Sequence, residues 1–259
     1  MKALILQSCG KKCQRYLLKG ATACWLSAVS ALLSLFLVGV LGGCGLDVVP
    51  FLYPPESPST IGSGVQFLHD TRNNDAPQSD NFQGYEIYYK FYDFGDGGSG
   101  ETQLQNDRDA IEADPEPPGT ARLSSRNFRR LQSLRNDGSL QAQLPLIPVS
   151  IGSSPSIQLR FSGVADNPGA VLLRNNNETD ATTLVRAVND ANAQPRAFYG
   201  VDKYDADHPD IPNTIDLTDG GGANLRIAFY AVAYGVQPDF RPLYSTPRFL
   251  ATEIPLDFE

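Results

Sequence analysis

The sequence predicts an all-β sandwich with a long middle insertion and one short helix. Three observations carry this. Two segments, Phe82–Asp93 and Leu225–Tyr234, place apolar or aromatic side chains at every second residue, which is the period of a strand. Turn residues break the chain at short intervals, as they do between the strands of all-β folds. Beyond the N-terminal segment, helical spacing is confined to one short run and one ambiguous one.

Residues 1–20 carry Lys2, Lys11, Lys12, Arg15 and Lys19 and no acid, and a run without charge follows from Ala21 to Gly43. A basic start, an apolar centre and small residues at the end make a secretory leader. All four cysteines (Cys9, Cys13, Cys24 and Cys44) lie at or before its end. Cleavage before Cys44 therefore leaves one cysteine, which excludes a disulfide framework and a cysteine-based metal site. The apolar run is also long enough to span a bilayer uncleaved, since about 20 residues suffice.

Removing residues 1–43 from a chain of 259 leaves 216. The removed part holds 5 of the 21 basic residues and no acid, so the net charge falls from −8 to −13. That charge argues against a nucleic-acid partner, which needs a basic face, and against electrostatic adhesion to anionic lipid. Aromatic residues at 10% supply the burial that a disordered chain lacks.

Residues 44–63, with Pro50, Pro54, Pro55 and Pro58, read as an extended tether merging into a first edge strand, where proline is tolerated. The sandwich is expected over 64–255. Val65–His69 is a short strand, and Asn73, Asn74, Asp75, Pro77 and Asp80 mark a turn-rich gap. On Phe82–Asp93, Tyr85, Ile87, Tyr89 and Phe91 share one face, and Glu86, Tyr88, Lys90 and Tyr92 the other. Gly95, Gly97, Gly98 and Gly100 end this strand. Glu101–Asp114 fits a short helix with Leu104, Ala110 and Ile111 on one side, stopped by Pro115, Pro117 and Pro118. Phe128–Leu134 fits either a helix or a strand, with the strand preferred.

Leu144–Ile151 and Ile157–Ser162 are further strands. Shorter apolar runs follow at Ala170–Leu173, Thr182–Val188 and Ala197–Val201. On Leu225–Tyr234, Leu225, Ile227, Phe229, Ala231 and Ala233 share the core-facing side, and a last strand spans about 246–254. Tyr85, Ile87, Ile227 and Phe229 are the expected centre of the core.

Two motifs resemble known families. Leu41-Gly42-Gly43-Cys44 resembles the lipobox of bacterial lipoproteins, an aliphatic residue and two small residues before a cysteine. The resemblance implies diacylglyceryl transfer to the Cys44 thiol, cleavage before it and acylation of the new amine. Two or three chains anchor firmly, at about 0.8 kcal/mol per buried CH2. Gly84-Tyr85-Glu86-Ile87-Tyr88-Tyr89-Lys90 resembles the third strand of a fibronectin type III domain. Ile227–Ala233 followed by Ser245-Thr246-Pro247 resembles its last two strands, and Pro54-Pro55 its start. The likeness covers about 50–93 and 224–253 and implies an immunoglobulin-like sandwich.

The interval 94–223 is longer than that family allows and reads as an insertion. The family's core tryptophan is missing, because Trp25 lies in the leader; Phe67 stands near its place. Leu225 occupies the position of a family tyrosine. In style the whole chain is similar to spirochaetal lipoproteins, which supplies no site residues.

Few residues carry chemistry. His69 precedes Asp70, a pair able to orient a base, but no nucleophile motif accompanies it, and a surface or strand-end histidine is the plain reading. Asp205, Asp207 and Asp210 surround His208 and are the candidate hard-cation ligands. The EF-hand spacing fails, with no glycine at the sixth position and no closing glutamate. Asp93 and Asp96 in the Gly-rich run read as turn residues. Arg122, Arg126, Arg129, Arg130 and Arg135 form the one basic cluster, which reads either as a solvated face paired with carboxylates or as an anionic-partner patch. Tyr88, Tyr92, Tyr230 and Tyr234 are contact candidates if left uncovered, and packing beneath the insertion is the preferred reading.

The expected function is a membrane-anchored cell-envelope lipoprotein. It acts as a non-enzymatic structural or protein-binding module held through lipid on Cys44, with the outer membrane the expected one. No cofactor, catalytic residue or nucleic-acid partner is assigned. A carbohydrate-binding module or carboxylate-based glycan-active enzyme, and a calcium-stabilised adhesin, stay open as alternatives.

Overall fold

Among the described residues the chain forms twelve strands and two α-helices. The computed structural model describes residues 51–61, 64–95, 99–113, 119–133, 147–149, 156–161, 171–175, 177–186, 210–211, 225–250 and 254–255. Along the chain run β1 (Glu56–Ile61), β2 (Gly64–Leu68), a 3-10 turn (Thr71–Asn74) and β3 (Phe82–Asp93). Then come α1 (Gly100–Glu112), α2 (Ala121–Ser125), β4 (Arg129–Arg130), β5 (Gln132–Ser133), β6 (Ser156–Phe161), β7 (Val171–Asn175) and β8 (Asn177–Val185). The chain ends with β9 (Leu225–Val236), β10 (Pro242–Tyr244), β11 (Arg248–Phe249) and β12 (Ile254–Pro255). The strands form two antiparallel sheets in a sandwich-like all-β fold. One has the order β1-β2-β6-β7-β8-β5. The other has the order β10-β9-β3-β4, with β11 and β12 also on β9.

The β3–β9 ladder is the spine. Its register runs unbroken from Gly84↔Tyr234 to Asp93↔Leu225. The side chains that sequence alternation assigns to one face, Tyr85, Ile87, Tyr89 and Phe91 on β3 with Ile227 and Phe229 on β9, all lie in the core between the sheets. They meet Val65, Phe67, Ile157, Leu159 and Leu184 of the opposite sheet. Phe67 is fully buried, with its ring edge-on to Tyr85 at 5.4 Å. Each such side chain contributes roughly 1.5–3 kcal/mol on burial.

The other face of the spine is also covered. Tyr88, Tyr92, Ala228, Tyr230 and Val232 pack against Leu104 and Ile111 of α1, Leu123 of α2 and Phe128. These strands are therefore buried on both faces, whereas alternation alone suits a half-buried strand. The run after residue 100 returns as a helical lid, which works because α1 opens in contact with the end of β3. A side chain at Gly100 would overlap the Asp93 carbonyl, so only glycine permits that approach.

Other elements differ in extent. Of Phe128–Leu134, Arg129–Arg130 and Gln132–Ser133 are strand, and Leu134 lies outside the described residues. Of Leu144–Ile151 only residues 147–149 are described, and there Ile147 bridges to Tyr85. The last strand starts earlier than expected and is broken into β10, β11 and β12 along β9. One extra residue falls between Tyr244 and Arg248, and two between Phe249 and Ile254. Pro247 lies in the first gap, where a missing N–H costs no ladder bond. The expected tether is shorter than it reads, because Leu52 and Pro55 are already buried ahead of β1.

Ile87 sits mid-spine at 3% exposure. Ile87→Asp places a carboxylate between the sheets with no partner, a cost of several kcal/mol. The variant is expected to unfold, read as loss of the cooperative thermal transition; an unchanged melting temperature refutes this placement of the spine.

Candidate functional site

Among the described residues, the densest cluster of charged and phenolic groups lies on the covered face of the spine. Strand alternation sets Glu86, Tyr88, Lys90 and Tyr92 in a row on β3. The lid and β4 bring Asp107, Arg126 and Arg130 to them. Glu86 accepts from the Tyr88 hydroxyl at 2.7 Å and pairs with Arg130 at 2.6 Å. Asp107 pairs with Lys90 at 2.6 Å, accepts from the Tyr92 hydroxyl at 2.9 Å and lies 3.8 Å from Arg126. Glu86 and Asp107 are both buried, and each meets a cation and a phenol. Beside them the Tyr230 hydroxyl reaches Glu112 at 3.5 Å.

Burial, reinforced by the neighbouring carboxylates, pushes the Tyr88, Tyr92 and Tyr230 hydroxyls far above the ordinary phenol range. They remain protonated donors. The arrangement neutralises buried charge and fastens the lid, and presents no group poised to transfer a proton to solvent.

The cluster joins two features that the sequence set apart. Arg126 and Arg130 of the basic cluster pair with Asp107 and Glu86. Arg122 donates to the Ile111 carbonyl at 3.4 Å, Arg129 is also engaged, and Arg135 lies outside the described residues. Tyr88, Tyr92 and Tyr230 are at most 7% exposed, so the condition for a surface contact is not met and they pack beneath the insertion. The lid that covers them is the cause. Tyr234 is half-buried, with its ring 5.4 Å from that of Tyr244 and tilted by 53°.

His69 is not a surface group. It is 1% exposed at the end of β2, with Nδ1 2.9 Å from the Tyr85 hydroxyl and Nε2 3.0 Å from Asn74 Oδ1. The Tyr85 oxygen accepts from the Asp70 amide at 3.2 Å, which leaves its proton for Nδ1. Nε2 then carries the imidazole proton toward Asn74. This assignment follows from the hydrogen-bond network. Asp70 does not orient His69 as a catalytic pair would. Its carboxylate caps the 3-10 turn at Arg72 N and binds the Arg72 guanidinium. Desolvation holds the His69 pKa below its ordinary value, opposed by the Asn74 bond and by the charges of Asp70 and Glu56.

Of the candidate cation ligands, Asp205 and Asp207 lie outside the described residues, as do His208 and Cys44 with Leu41, Gly42 and Gly43. The Asp210 side chain is 4% exposed. It is held by Nε and Nη2 along one edge of the fully buried Arg186 guanidinium and by the Tyr89 hydroxyl at 2.8 Å. Arg186 also faces the Phe91 ring at 5.2 Å. Asp210 thus serves an internal ion pair, which its place in an acidic loop did not reveal. Among the described residues no three His, Cys, Asp or Glu side chains converge as a metal group would. An open hollow of about 340 Å³ beside α1 is lined by Glu101, Thr102, Leu104, Gln105, Asn106 and Arg108. It offers one carboxylate, where glycoside hydrolysis uses two.

Sequence reasoning missed Asp107, although a signal was present. Leu104, Asp107 and Ile111 share the buried stripe of α1, and an acid at such a position calls for a buried cation. No protein-family model, curated protein or solved structure matches this chain.

Two predictions follow from these clusters. Arg130→Ala leaves the buried Glu86 without its cation and should destabilise the domain by about 3–5 kcal/mol in urea titrations. Adding Glu86→Gln should recover part of the loss, and equal stability of the single and double variants would deny the pairing. For His69, the folded-state pKa lies below the unfolded one, so the unfolded chain binds the extra proton first. Stability is then full above about pH 6.5 and declines as pH falls through the depressed folded-state value. His69→Gln should flatten the melting-temperature profile between neutral and mildly acidic pH.

Proposed function

We propose that this chain is a membrane-anchored lipoprotein of the bacterial cell envelope, whose sandwich acts as a non-enzymatic structural or protein-binding module. The observation that carries the reading is Leu41-Gly42-Gly43-Cys44 at the end of an apolar leader. Cleavage there leaves Cys44 as the sole cysteine. The fold supports the module role. Among the described residues, the buried ionisable groups fasten the lid, the β2 corner around His69 and the Arg186–Asp210 pair. The finer fold we assign is fibronectin type III-like. The order β1-β2-β6 facing β10-β9-β3-β4 supports it, since immunoglobulin-like sandwiches also set their first two strands beside the fifth and their third beside the last two.

Fractionation tests the anchor. Cys44→Ser should move the protein from the membrane to the soluble fraction, whereas continued membrane retention would point to an uncleaved apolar helix. Protease treatment of intact and permeabilised cells then reports the face. Digestion on intact cells indicates an external partner, and protection until permeabilisation indicates a periplasmic one.

A further inference from the structure

One end of the sandwich presents two bare aromatic rings. Phe240 is 88% exposed and Phe51 46%, and these are the exposed large hydrophobic side chains among the described residues. They belong to the same end. Leu52 Cδ1 comes within 3.1 Å of where a Gly235 side chain would begin, and the β9–β10 hairpin turns over immediately after Val236. Phe51 is braced edge-on against Tyr53 at 4.8 Å, and the Arg72 guanidinium covers the Tyr53 ring at 3.9 Å.

The hairpin tip is built at a cost. Gln237-Pro238-Asp239-Phe240 closes through the Phe240 amide to the Gln237 carbonyl at 2.8 Å, and the Gln237 amide donates to the Arg241 carbonyl at 2.9 Å. Proline at the second position suits a type I turn, and glycine is favoured at the fourth. Here the fourth residue is Phe240, with φ +65. A bulky side chain in the left-handed region is a strained outlier, and this one faces solvent.

The chain itself limits what this end can meet. Six residues separate Cys44 from Phe51, so the Phe51 backbone lies within about 25 Å of the lipidated residue even when fully extended. The opposite end is a further ~40 Å away, the length of a strand such as β3. Exposed Glu56, Asp75, Asp80 and Asp239 on this end outnumber Arg72 and Arg241, which disfavours attraction to anionic lipid. The contact chemistry is aromatic.

We propose that Phe240 and Phe51 form a lipid-contacting tip that seats this end of the sandwich in the bilayer interface beside the Cys44 anchor. The proposal rests on the lipoprotein reading, and its test separates the two. Aromatic rings suit the headgroup level. A tether this short raises the effective concentration of the tip at the surface enough for a weak contact to persist.

The only tryptophan of the chain is Trp25, in the leader, so under excitation that spares the tyrosines the processed protein is dark and any added tryptophan reports alone. Full-length protein is expressed with its own leader in a lipoprotein-processing bacterium, purified and placed in phosphatidylcholine vesicles with or without brominated chains. Phe240→Trp, and separately Phe51→Trp, should emit blue-shifted light and lose roughly half of it to the brominated lipid. Thr102→Trp, exposed on α1 near the other end, should emit as in water and stay unquenched.

A dark unsubstituted protein with an unquenched tip reporter overturns the lipid contact and leaves the anchor standing. Equal quenching of the tip and α1 reporters also overturns it, because the domain then has no preferred end. Tryptophan emission from the unsubstituted protein shows that the leader is retained; it overturns the anchor reading and the proposal with it.

Discussion

The β3–β9 ladder is the constraint from which the rest of this structure follows. Both strands carry large side chains on both faces, so neither face tolerates water. Tyr85, Ile87, Tyr89 and Phe91 need the opposite sheet, and Tyr88 and Tyr92 need a second cover on the outside. An antiparallel sheet commonly leaves one face solvated. Here a face bearing three tyrosines would expose a large apolar patch, and α1 and α2 remove it. The middle of the chain is therefore part of the domain's stability, and β6 from the same stretch completes the opposite sheet beside β2.

Covering that outer face has an electrostatic consequence. Glu86 and Lys90 alternate with the tyrosines and are enclosed along with them. Charge taken out of water is costly unless paired, and the lid supplies Asp107 for Lys90 while β4 supplies Arg130 for Glu86. Apolar burial is non-directional. Leu104 and Ile111 alone would accept several positions of α1 on the sheet. The Lys90–Asp107–Tyr92 contacts are directional and select one. The same logic holds between the sheets, where Arg186 and Asp210 satisfy one another against Tyr89 and Phe91. These ion pairs place elements that hydrophobic contact alone would leave free to slide.

Periodicity made the spine legible. Phe82–Asp93 is found over the residues that its alternation marks, and the inward set on both strands is as read. Legibility failed where two solutions shared one pattern. Alternating Tyr88 and Tyr92 with Glu86 and Lys90 fits a solvated face as well as one beneath a polar-lined lid, and only the distant lid decides. His69 fails for a related reason. Its partners Tyr85 and Asn74 come from a strand and a turn that meet only after β2 and β3 lie in opposite sheets. Asp210 looked like a loop carboxylate because Arg186, its partner, is 24 residues away with no periodic signal between them. Non-local pairing of single charged residues leaves no trace in local spacing.

The domain's two ends are chemically unlike, and this asymmetry bears on attachment. At one end α1 begins against the close of β3, with polar Thr102 and Gln103 outward. At the other, the β2 corner is locked by His69, Tyr85 and Asp70, and the incoming chain is pinned by Leu52 and by paired bonds between Tyr53 and Asn73. That corner is rigid. A side chain at Gly235 would overlap the Asn81 carbonyl, so the incoming segment, the corner loop and the hairpin form one tightly packed unit. On the lipoprotein reading, tension or tilt applied through the anchor passes directly into this unit. The domain is pinned from Leu52 onward, so on that reading only six residues of chain separate its first described residue from Cys44. An interface contact too weak to recruit a free protein then suffices to select among orientations of the domain, because the entropy of bringing the surfaces together has already been met by the tether.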